Sequence, residues 1–166
     1  MKKETTFLLS VILFSTLFFS SCEQINSGGN EIDTIPPAEI TDAIIKSGIE
    51  SGNFPEMAER GFNELEKYYF GIDLSGIIDA SYWIAPAGAY SDEITVIMVD
   101  SDIRDLDGLK VFFEEWVEDK ADMWRNYNPE QAQKLDNAAI EIKGNYIAIF
   151  VCENTVNAVE IFNSFI

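Results

Sequence analysis

The hydrophobic positions change period several times along this chain, and each change marks an element. After Pro36-Pro37, Ile40, Ile44, Ile45 and Ile49 recur at helical spacing, and Gly52 is a natural stop. Asn53-x-x-Glu56, with Pro55 between them, has the form of a second capped start. Met57, Leu65, Tyr68 and Tyr69 give that second helix a less regular apolar stripe, and Gly61 weakens it by up to about 1 kcal/mol relative to alanine. Gly71 to Gly76 breaks the pattern and reads as a loop. Ala80–Pro86 and Ile94–Val99 are strand-like, with Pro86-Ala87-Gly88 and Ser91-Asp92 as turn residues between them, and are expected to pair antiparallel. The second run is apolar throughout, as a strand in the sheet centre or under a helix would be.

The longest helix follows. Leu109, Phe112, Phe113, Trp116, Val117, Ala121 and Trp124 fall on one face, which should pack on the sheet, and Glu114, Glu115, Glu118 and Asp119 fall on the other. The stretch from Asn128 to Cys152 then organises the chain. Asn128 caps a helix that Pro129 begins, and Gln131 completes an Asn-x-x-Gln capping box. Ala139, Ile140 and Ile142 lead into a tight turn at Lys143-Gly144-Asn145, and Tyr146–Cys152 is a continuous apolar run. Asn154 or Thr155 caps a final helix with Val156, Val159, Ile161 or Phe162, and Phe165 inward. Two hairpins separated by helices predict a single α+β domain, an antiparallel sheet of about four strands with helices packed on it.

The N-terminus has a different character. Lys2 and Lys3 precede 13 uncharged residues, Phe7 to Phe19, a run too short for the roughly 20 apolar residues of a spanning helix but suited to an export signal. Ser20 and Ser21 precede Cys22, which resembles the bacterial lipoprotein signal, with Phe19 where leucine is usual. Residues 1–21 are therefore expected to be a signal peptide and Cys22 a lipid attachment site. Residues 22–37 would form the tether, about 20 Å across as a coil of a dozen residues. The domain proper would occupy residues 38–166, on the extracytoplasmic face of the cell membrane. Cleavage before Cys22 leaves 145 residues, enough to bury about 70% of the unfolded surface. If Cys22 carries lipid, Cys152 has no partner for a disulfide and reads as a small buried hydrophobe.

Charge narrows the partners. The chain carries a net charge of −18, and processing would leave 9 basic against 28 acidic side chains, a net of −19. Such a surface repels phosphate backbones and anionic headgroups. Nucleic acid is thereby excluded as a partner, and the lipid, not a basic patch, would hold the protein at the membrane. A monomer is expected, with an envelope protein or a cell-wall ligand as its partner.

The combination of FPEM, YYFGIDLS, AP…SDEITVI, a long acidic amphipathic helix and NYNPEQAQKLDNAAIEIKGNYIAIFV resembles the bacterial lipoprotein family known as domain of unknown function 4358. The resemblance covers roughly residues 55–163. It implies an exported, lipid-anchored domain and brings no activity and no catalytic residues with it.

Candidate chemistry is sparse. With no histidine, neither a Ser-His-Asp nor a Cys-His system can be built, and one domain cysteine cannot hold a metal. No phosphate-binding glycine loop occurs. Asp105, Asp107, Gly108 and Glu114 match positions 3, 5, 6 and 12 of a calcium loop, but Ile103 stands where position 1 needs an oxygen. Asp105 or Asp107 serves equally as the cap of the long helix. A carboxylate pair working as in glycoside hydrolysis is conceivable among so many acids, and nothing raises one above the others. Tyr82, Trp83, Tyr90, Trp124 and Tyr127 could line a groove for a peptide or sugar, although core packing is the commoner fate of such residues. The sequence thus favours a binding or accessory module of the envelope without cofactor or metal, with a carboxylate-dependent hydrolase and a calcium-binding lipoprotein as its alternatives.

Overall fold

The computed structural model describes residues 34–86 and 88–166. The expected signal peptide, Cys22 and most of the tether lie outside them. Among the described residues no helix is long and apolar enough to cross a membrane.

One five-stranded sheet, antiparallel throughout, forms the middle of three layers. The strands are β1 (Ala58–Gly61), β2 (Ile77–Ile84), β3 (Glu93–Val99), β4 (Ala139–Lys143) and β5 (Tyr146–Val151), in the spatial order β1-β2-β3-β5-β4. Helices α1 (Pro37–Glu50) and α5 (Thr155–Phe165) cover one face. The one-turn α2 (Leu65–Tyr68), the long α3 (Leu106–Arg125) and α4 (Pro129–Asp136) belong to the other.

The two central strands are buried along their whole length, as their unbroken apolar runs require. Alternate residues feed two separate cores. Ile97, Val99, Ile147, Ile149 and Val151 meet Leu109, Phe113, Val117 and Ala121 of α3. Ile94, Val96, Ala148 and Phe150 meet Ile40, Ile44 and Ile45 of α1 and Phe162 of α5. The Gly144-Asn145 turn joins β4 to β5, with Gly144 at φ +58°, where a Cβ would be strained.

Two local expectations change. The segment after Gly52 forms no full second helix: residues 58–61 pair with β2 as an exposed edge strand, and a 3-10 turn (Phe62–Glu64) leads into α2. Ala58, Glu59 and Arg60 are good helix formers, but Gly61 interrupts the run and the open edge of β2 offers backbone partners that a helix could not use, so tertiary pairing overrides the local signal. The sheet consequently has five strands, not four. The capping box of α4 also forms only in part. Asn128 accepts from the Glu130 N–H at 3.2 Å, but the Gln131 side chain turns inward, to a partner 40 residues away.

Candidate functional site

The start of β3 places three consecutive polar residues inside the protein. Ser91, Asp92 and Glu93 are 1%, 2% and 1% exposed, so the turn assigned to Ser91-Asp92 is instead a buried row. A buried polar group is tolerated only where it is hydrogen-bonded, and a buried charge only where it is paired. Each of the three finds a partner on a helix. The Ser91 N–H donates to Gln131 Oε1 at 2.8 Å, and its hydroxyl donates to the Gln131 carbonyl at 3.1 Å. Lys134 Nζ lies 2.8 Å from Asp92 Oδ2.

Glu93 is the most elaborately held. Its Oε2 accepts from Lys120 Nζ at 2.6 Å and from the Tyr68 hydroxyl at 2.8 Å, and its Oε1 accepts from the Tyr69 hydroxyl. Lys120 also donates to the Tyr68 oxygen at 2.9 Å, and the Thr95 hydroxyl sits 2.6 Å from the Tyr69 oxygen. Burial first, and then the Glu93 charge, push the Tyr68 and Tyr69 hydroxyls well above the ordinary phenol range. Both tyrosines therefore stay protonated and act as donors. Burial likewise raises Asp92, opposed by Lys134, and lifts the Cys152 thiol to about 12, so Cys152 is an inert buried side chain.

Around this cluster the aromatic rings pack edge to face. Tyr69 contacts Phe113 and Trp116 at centroid distances of 5.1 and 5.2 Å, while Tyr68 stacks on Tyr82 at 5.3 Å. Beside Tyr68 and Lys120 opens a cavity of about 200 Å³, walled by Tyr68, Tyr90 and Trp124, with Asp92 and Lys120 also lining it. Of the five aromatic residues singled out in the sequence, Tyr90 and Trp124 meet at this cavity. Tyr127 lies against Trp124 at 5.6 Å, and its hydroxyl reaches the Gly88 carbonyl at 3.3 Å. Tyr82 is core, and Trp83 packs with the core under α1 and α5 on the opposite sheet face.

The other candidates disperse. Asp105 accepts from the Asp107 N–H at 3.1 Å and caps α3, whereas Glu114 stands nine residues further along, about 13 Å up the helix axis. The four calcium-loop positions are thus not brought together, and among the described residues no group of three or more potential metal ligands converges. Glu114, Glu115, Glu118 and Asp119 are exposed, as a solvated face should be. No carboxylate pair of the hydrolytic kind assembles at the cavity either, because Asp92 and Glu93 are bound by different lysines from different helices. Lys120 and Glu93 escaped the sequence reading, and Gln131 entered it only as part of a helix cap. The only signals were a lysine set among the α3 carboxylates and a glutamate opening an apolar strand.

A family model described as domain of unknown function (DUF4358) matches residues 50–152. The chain belongs to this family. The DUF4358 match runs from the end of α1 to the residue after β5, so the buried polar row and its five partners, Tyr68, Tyr69, Lys120, Gln131 and Lys134, lie wholly within it. No curated protein and no solved structure matches the chain.

Proposed function

We propose that this DUF4358 protein is a lipid-anchored extracytoplasmic binding module of the bacterial envelope, fastened through Cys22 and working by binding, not by catalysis. The anchor rests on the basic, apolar and Ser-Ser-Cys succession at the N-terminus. The observation favouring binding over catalysis is the state of Glu93. Its Oε2 accepts two hydrogen bonds and its Oε1 one, all from protein side chains, and it is 1% exposed, so it lacks the access that proton transfer to a ligand needs. The neighbouring cavity has aromatic walls suited to holding a ligand. The membrane, reached through the lipid, is one partner, and an envelope protein or cell-wall ligand is the other.

The anchor is tested by Cys22→Ser. Cells fed a clickable fatty acid should label the wild-type protein and leave the variant unlabelled, with the variant released to the medium or retained unprocessed. Equal labelling of both would reject the anchor.

A further inference from the structure

We propose that the cavity bounded by Tyr68, Tyr90 and Trp124 is a site for a single uncharged sugar ring, an inference resting on the binding reading above. Its volume of about 200 Å³ is below the roughly 300 Å³ at which sites for drug-sized ligands begin, leaving room for one substituted six-membered ring and not for a chain. The three aromatic walls come from α2, the segment before β3 and α3, so the fold itself holds the rings around one space.

One polar group at the cavity keeps hydrogen-bonding capacity to spare. Lys120 has three N–H donors and two acceptors among the described residues, Tyr68 Oη and Glu93 Oε2. Asp92 also lines the cavity, but its carboxylate is buried and paired with Lys134. A ligand acceptor that takes the third Lys120 N–H gains a charge-assisted hydrogen bond.

These groups select among ligand classes. A cation would meet the Lys120 ammonium, and an anion would meet Asp92 and the field of a chain at −18. A purely apolar ligand would leave the third Lys120 N–H without an acceptor. A sugar hydroxyl meets that demand, because its oxygen accepts from an ammonium. The C–H faces of a sugar ring lie well against tyrosine and tryptophan.

The test uses the full-length protein in polyoxyethylene detergent micelles, free of both sugar and choline. Methyl glucoside and methyl N-acetylglucosaminide are titrated while the indole N–H resonance of Trp124 is followed, with choline as the cationic comparison. At least one glycoside should give a saturable shift with a Kd on the order of 1 mM. Tyr90→Ala removes a half-exposed ring, should leave the melting temperature unchanged, and should weaken that binding roughly tenfold. A saturable response to choline alone would overturn the sugar assignment and leave the binding module standing. Silence from all three probes up to about 50 mM would overturn the cavity as a binding site altogether, as would a glycoside shift that Tyr90→Ala does not weaken.

Discussion

Glu93 shares its side of β3 with Thr95, Ile97 and Val99, and the row turns from polar to apolar within one strand. Its ion pair with Lys120 is a poor source of net stability, because taking both charges out of water offsets most of their attraction. Breaking the pair is another matter. Lys120→Met should destabilise the domain by about 3–5 kcal/mol, since it leaves the Glu93 charge buried with only hydroxyl partners. Adding Glu93→Gln should recover much of that loss, and urea unfolding of the two single variants and the double variant measures the coupling. Equal stability of wild type and Lys120→Met would mean that Glu93 is neutral or hydrated in the native protein. None of this was legible in the sequence. The partners of Ser91, Asp92 and Glu93 stand 24 to 42 residues away, and a local pattern of Ser-Asp after a glycine reads as a turn. What was legible was local: the Asn128, Asn154 and Asp105 caps each depend on contacts within three residues, and each forms.

At the level of elements, periodicity identified α1, α3, α4, α5 and the four strands β2 to β5, because each has an apolar face of its own. It missed β1, whose four residues are all exposed and which exists only because β2 has an open edge. The redirection begins at the end of α1. The Asn53 N–H returns to the Gly48 carbonyl at 2.9 Å, and the Phe54 ring lies over Gly48 so closely that a Cβ there would come within 2.2 Å of it. Helical propensity alone would make Gly48→Ala stabilising by up to about 1 kcal/mol. The clash should win. Forcing the Phe54 ring off its seat costs about 1–3 kcal/mol, so chemical denaturation should find Gly48→Ala less stable than wild type, and Phe54→Leu in the same chain should restore part of the loss. A more stable Gly48→Ala would show that Phe54 does not fix the route into β1.

For the whole molecule, the distribution of basic groups matters more than their number. Lys120 and Lys134 are spent on buried carboxylates, and Arg60, Arg104 and Arg125 pair with acids nearer the surface. Little positive charge is left to draw the domain to anionic lipid, and its acidic exterior opposes adsorption. On the proposed function, residence at a membrane comes instead from lipid on Cys22. The most direct measurement is the intact mass of the protein extracted from native membranes. The account predicts a chain beginning at Cys22 and heavier than its amino acids by a diacylglyceryl group. An unmodified chain still carrying residues 1–21, recovered from the soluble fraction, would contradict it.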